Sequence, residues 1–198
     1  MPTTTTARDA ISATSRLYLA RAVIALAWAG LLAVSLSSAG TLTADSDLPL
    51  LAVVLLILYP VLDVAASVLD ARTQEAVGNL GDRRAQLVNA GISTITAVAL
   101  IVAVIDGPAT VLRVFGVWAT LTGLIQLTLA IIRLRAGLPG QVAMIISGGL
   151  STLIGLMFFA QAAREELMLT GVAGYAVGGA ILYLVSTVRL RRAEANRA

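Results

Sequence analysis

Residues Gly123–Arg135 read GLIQLTLAIIRLR, and Gly179–Arg191 read GAILYLVSTVRLR. Each is an apolar run that starts at a glycine and meets its first arginine ten positions later. A third copy is looser: Pro60 stands in the same relation to Asp70-Ala71-Arg72. The segments preceding two of these copies match as well, Asn89-Ala-Gly-Ile-Ser-Thr-Ile aligning with Ser147-Gly-Gly-Leu-Ser-Thr-Leu. Read outward from these anchors, the chain divides into six apolar runs, at about 17–38, 48–69, 85–105, 109–132, 140–160 and 167–189. They form three tandem helical hairpins, about 17–69, 85–132 and 140–189.

Composition explains what such runs are for. Hydrophobic residues make up 58% and charged residues 13% of the chain, against roughly 25% charged for an ordinary soluble domain. A bilayer core about 30 Å thick takes roughly 20 apolar residues per helix, and each run is long enough. The sequence therefore predicts an all-α integral membrane protein with six transmembrane helices in one membrane domain. Residues 1–15, with four consecutive threonines, are expected to form a flexible polar lead. Arg16, Arg21 and Ser37-Ser38-Ala39 imitate a signal peptide, but the first run exceeds a usual h-region and is expected to be a retained helix.

Orientation rests on arginine, because the chain has no lysine. Twelve arginines fall before or at the start of the first run, between the second and third, between the fourth and fifth, and at the end of the sixth or after it. Only Arg113 and Arg164 fall on the opposite set of turns, beside Asp45, Asp47, Asp106, Glu165 and Glu166. That bias places both termini in the cytoplasm of a bacterial inner membrane. It also assigns the basic pI of 9.9 to topology and anionic lipid rather than to nucleic acid.

The turns carry proline near helix starts, in Ser46-Asp47-Leu48-Pro49 and Asp106-Gly107-Pro108, where its missing N–H costs nothing. Leu138-Pro139-Gly140 reads as a tight turn, and Thr73–Gln86 as the longest internal loop. Short turns make sequence neighbours pack antiparallel. Because every hairpin returns to the same side, the repeats are parallel and compatible with a pseudo-three-fold axis along the membrane normal. Lipid tails are as apolar as leucine, so helices must be held by close approach over small residues. Ser147, Ser151 and Gly155 provide such a face, widened by Gly148 and Gly149. Gly174-x-x-x-Gly178 and Ala119-x-x-x-Gly123 provide others. These faces can pack within one chain or form a dimer.

The stretch Val114-Phe-Gly-Val-Trp-Ala-Thr-Leu-Thr-Gly-Leu-Ile-Gln-Leu, with Ile132-Arg-Leu-Arg and Ser147-Gly-Gly-Leu-Ser, resembles the HdeD-like membrane proteins. That family is built on a short transmembrane repeat of unknown function and named for a bacterial acid-resistance protein. Tyr59-Pro60-x-x-Asp63 with Asp70-Ala71-Arg72 looks like its actinobacterial variant. The resemblance implies a six-helix inner-membrane protein linked to stress or acid tolerance, and it supplies no catalytic residues.

Enzyme chemistry is opposed by what is missing. Without histidine or cysteine the chain lacks the usual zinc and haem ligands, Ser-His-Asp and Cys-His arrangements and thiol redox chemistry. Without lysine it can form no Schiff base. Asp63 and Asp70 share a helix face, but a seven-residue offset separates their backbones by roughly 10 Å along the axis, too far for a coupled dyad. A non-enzymatic protein without cofactor or metal is expected. Its partners would be membrane lipids, with a second copy or another membrane protein as a further possibility.

One constellation remains. Asp63, Gln126, Asn89 and Ser147 all lie within roughly 7–11 Å of the cytoplasmic helix ends, forming a polar layer with Arg21 nearby. A carboxylate in a span faces the bundle interior because insertion at the bilayer centre costs roughly 2.5–3.5 kcal/mol. The layer reads either as an internal tie, with Asp63 protonated or paired to Arg21, or as a ligand, ion or proton site. Arg113 is expected to snorkel outward or pair with Asp106, Glu165 or Glu166. Trp28, Trp118, Tyr18, Tyr59, Tyr175 and Tyr183 read as packing and interfacial anchors rather than a ligand cage. The leading functional expectation is a structural or stress-protective membrane protein. The alternatives are a small transporter or channel using the Asp63 layer, and an accessory subunit of a larger complex. Six short spans rarely enclose a pore unless they oligomerise. A cavity at Asp63 would favour transport, and a dry layer with an exposed glycine-rich face would favour the subunit.

Overall fold

Long apolar runs with polar punctuation give long helices, because only an α-helix satisfies its own backbone hydrogen bonds in lipid without forming a closed sheet. The computed structural model describes residues 4–76, 78–135 and 141–195. The helices are α1 (Thr4–Ser37), α2 (Leu50–Ala76), α3 (Leu80–Asp106), α4 (Pro108–Arg135), α5 (Gln141–Gln161) and α6 (Thr170–Ala195). Each contains a segment of 20–27 residues with mean hydropathy between 1.6 and 2.4, long enough to cross a bilayer. The only strand-like pairing among the described residues is an isolated bridge between Leu42 and Leu167. Side chains such as Ile105, 84% exposed, and Ile95, 72% exposed, form an apolar outer surface suited to lipid and unsuited to water.

Two boundaries differ from the sequence expectation. The polar lead is drawn into α1 from Thr4 onward, so the flexible segment expected over residues 1–15 is largely helical. The loop expected over Thr73–Gln86 contracts to a turn at Gly78 and Asn79, because α2 and α3 continue beyond their apolar parts. Gly78 supplies the left-handed conformation, with φ of 74°. The Asn79 side chain caps α3 by accepting from the Asp82 amide at 3.3 Å, and Arg83 pairs with Glu75 at 3.2 Å. Polarity there marks helix leaving the membrane, not loss of helix. The Leu138-Pro139-Gly140 turn lies outside the described residues.

The helices form a ring in chain order, closed by packing of α6 on α1. The most extensive seams are α4–α5, α2–α3 and α1–α6, none of them a pair within one of the expected hairpins, and the α5–α6 seam is the thinnest. The α4–α5 seam is a glycine crossing. A β-carbon at Gly155 would lie 2.6 Å from the Gly116 carbonyl oxygen, and one at Gly148 would lie 2.8 Å from that of Gly123. Ser151 joins the same seam by donating to the Ala119 carbonyl at 3.0 Å. By contrast, Gly149, Gly174 and Gly178 have nothing within 4 Å of where a β-carbon would sit. Those three therefore make no crossing of the kind seen at Gly148 and Gly155 among the described residues.

The end of the bundle away from the termini is closed. The Leu167 amide donates to the Leu42 carbonyl at 2.8 Å, tying the α5–α6 turn to the α1–α2 turn. Gly107, between α3 and α4, has φ of 115° and sits so close to Ala44 that a β-carbon would lie 2.4 Å from its carbonyl oxygen. Beneath these turns lies the main core, in which Leu32, Leu56, Leu100, Leu112, Phe115 and Leu169 are buried.

Candidate functional site

The other half of the bundle holds the charged pair. Arg21 on α1 and Asp63 on α2 meet at 2.5 Å, with side chains 17% and 15% exposed. Both carboxylate oxygens of Asp63 are engaged. Oδ1 accepts from the Arg21 guanidinium, while Oδ2 accepts from Asn89 Nδ2 and Ser93 Oγ, each at 2.8 Å. Asn89 uses its amide a second time, donating to Ser67 Oγ at 2.9 Å. Trp118 Nε1 on α4 then donates to Ser93 Oγ at 3.0 Å. A single hydrogen-bonded chain thus runs Arg21–Asp63–Ser93–Trp118 across four helices. Such a satisfied network is what allows charge to remain within a span.

Local sequence places these groups. Asp63 and Ser67 are one helical turn apart on α2, and so are Asn89 and Ser93 on α3, so two polar stripes face each other across the α2–α3 seam. Pro60 removes an N–H from α2 just before Asp63, and in that turn the Leu55 carbonyl accepts from Trp28 Nε1 at 2.7 Å. Trp28 stacks on Tyr59 with ring centroids 4.2 Å apart. Tyr59 and Tyr175 both meet the Trp118 ring edgewise, and Tyr175 shares a 2.8 Å hydrogen bond with Ser151. The Arg21 guanidinium lies over the Tyr183 ring, 4.8 Å from its centroid, a favourable cation–π arrangement.

Below this aromatic layer is a cavity of about 600 Å³ lined by residues from all six helices. Its walls include Arg21, Asp63, Asn89, Gln126, Ser147 and Tyr183. Its volume lies within the range typical of small-molecule sites. The structure thus brings Arg21, Asp63 and Asn89 into direct bonding. Gln126 and Ser147 line the same space without a hydrogen bond to Asp63, and among the described residues Gln126 Nε2 reaches the Met144 carbonyl, at 3.5 Å. Ser151, Gly178 and Gly179 also line the cavity, whereas Gly123, Gly148 and Gly155 serve the α4–α5 crossing. Arg113 is exposed and forms no ion pair among the described residues.

The sequence reading did not select Ser67 or Ser93, both fully buried. Their four-residue spacing from Asp63 and Asn89 was the available signal. It also took the aromatic residues as anchors only, whereas Tyr18, Tyr59, Trp118, Tyr175 and Tyr183 all line the cavity. Fold and site together define a multi-pass α-helical membrane protein with a charged pair on the wall of a partly open cavity between the helices. No family model, curated protein or solved structure matches this chain.

Proposed function

We propose that the protein is a non-enzymatic, multi-pass protein of a bacterial inner membrane that binds a small solute in the Arg21–Asp63 cavity, reached from the cytoplasmic side. The observation that carries this reading is the 600 Å³ space lined by all six helices with a charged pair on its wall. A structural tie would need the network alone, without room beside it. The tied turns and apolar core at the opposite end support access from one side at a time, as a transporter or a solute-binding subunit requires. The arginine distribution supports cytoplasmic termini, and the lack of histidine, cysteine and lysine supports binding rather than catalysis. The resemblance to HdeD-like proteins offers stress or acid tolerance as the physiological setting.

The natural absence of cysteine makes any introduced thiol a unique reporter. Ser147→Cys, with Gln126→Cys as a second position, should react with a membrane-impermeant maleimide applied from the cytoplasmic face and not from the other. Protection at both positions from both faces would mean a dry layer and would overturn the binding reading.

A further inference from the structure

The hydrogen-bonding capacity left over in the cavity is unevenly distributed. Among the described residues, Arg21 makes one hydrogen bond, to Asp63, and covers the Tyr183 face. The remaining N–H groups of its guanidinium, which carries five, have no acceptor among the described residues. The hydroxyls of Tyr59, Tyr183, Ser147 and Ser186 line the same space and make no hydrogen bond among the described residues. These hydroxyls, like the amide oxygens of Asn89 and Gln126 on the same wall, can also accept, so the imbalance lies in the charged groups. Asp63 already takes three hydrogen bonds, and Asp70, the other carboxylate on the wall, is 4% exposed and accepts from Gln74. A solute entering this space meets unused donors and engaged carboxylates.

The rest of the wall is apolar and leads outward. Leu150 on α5 and Ile181 on α6 line the cavity yet are 46% and 53% exposed, and they flank the thinnest seam of the ring. Gly178 and Gly179 leave open space beside them. From this we infer that the cavity takes an amphipathic organic anion, a carboxylate or phosphate ester whose charged end sits on Arg21 and whose apolar body lies toward the α5–α6 seam. An oxyanion matches the planar donor fork of arginine, and Asp63 acts as a positioning residue that holds the fork in place.

This assignment rests on the cavity being a solute site, and the test separates the two. Full-length Ser147→Cys protein in phosphatidylcholine nanodiscs is labelled with the maleimide in the presence of decanoate, decanol or decyltrimethylammonium. Decanoate should slow labelling about tenfold, as occupancy near saturation does, while the neutral and cationic chains leave it nearly unchanged. The double variant Arg21→Gln/Asp63→Asn, which strands neither charge, should still label and should lose the decanoate effect; Gln126→Cys repeats the measurement where Ser147→Cys folds poorly. Discs containing phosphatidylglycerol distinguish the source. Protection by the lipid alone puts a membrane headgroup on Arg21, and protection only on adding decanoate assigns a free amphiphile. Equal or stronger protection by decyltrimethylammonium or decanol, or protection that survives the double variant, overturns the anion assignment. Labelling that no probe slows overturns it too, yet leaves the accessible cavity standing.

Discussion

Gly123 and Gly148 exclude each other's side chains: a β-carbon on either would lie 2.8 Å from the carbonyl oxygen of the other. Seven residues along each helix, Gly116 and Gly155 repeat the relationship. Two such crossings fix both the spacing and the register of α4 against α5, since the obstacles are backbone atoms that cannot rotate away. Gly123→Ala, Gly148→Ala and Gly155→Ala should each destabilise the protein by about 1–3 kcal/mol, the usual cost of overpacking. Gly148→Leu and Gly155→Leu should be worse. Gly149→Ala meets no neighbour and should be neutral or gain up to about 1 kcal/mol from helix propensity. Thermal unfolding in mild detergent checks the ranking, and a Gly149 variant as damaged as the Gly148 variant would refute it.

The Arg21–Asp63 pair predicts a non-additive series. Asp63→Leu leaves a guanidinium without its carboxylate inside the bundle and should cost about 3–5 kcal/mol. Asp63→Asn should cost less, because its amide oxygen can still accept from Asn89 and Ser93. The double variant Arg21→Met/Asp63→Leu should be more stable than Asp63→Leu alone, since no charge is stranded. A double-mutant cycle measured by denaturation in detergent reads the coupling directly. Additive losses would show that the pair contributes nothing as a pair.

Topology is tested independently of stability. The twelve-to-two arginine distribution predicts a cytoplasmic position after Arg135 and an external one after Glu166. Paired reporter fusions at those two points should give opposite signals. Equal signals would be incompatible with six spans oriented in this way.

The closed end predicts a leak. Leu167→Pro removes the amide that bonds the Leu42 carbonyl at 2.8 Å. It should loosen the contact between the first and last outer turns while leaving the Arg21 network in place. In a Ser147→Cys background, maleimide applied from the external face should then begin to react. Retained protection there would assign the seal to the buried core rather than to the tied turns.

Much of this was readable from residue order, and the gaps have physical causes. Span length and apolar composition carried the six helices, because hydropathy is a local property. The depth of Asp63 and Asn89 carried the centre of the network, since rise per residue converts position into height. Azimuth was harder. Gln126 and Ser147 share that height but reach only the cavity wall, and the serines at 67 and 93 became visible only once the α2–α3 seam set the facing stripes. Small-residue faces were ambiguous for the same reason. Gly148 and Gly174 look alike in sequence, but one meets a neighbouring backbone and the other meets nothing.

The α1–α6 seam carries a consequence for biosynthesis. Of the six helices, the earliest made finds one of its most extensive partners in the latest, and contacts such as Tyr18 against Tyr183 and Arg191 to Ser15 join the two. Until α6 is inserted, the Arg21 guanidinium has its carboxylate but lacks its aromatic cover. The nascent protein therefore waits in the membrane as an open arc with a charged flank, and any quality-control factor or assembly partner able to read that flank has the whole interval of synthesis in which to act.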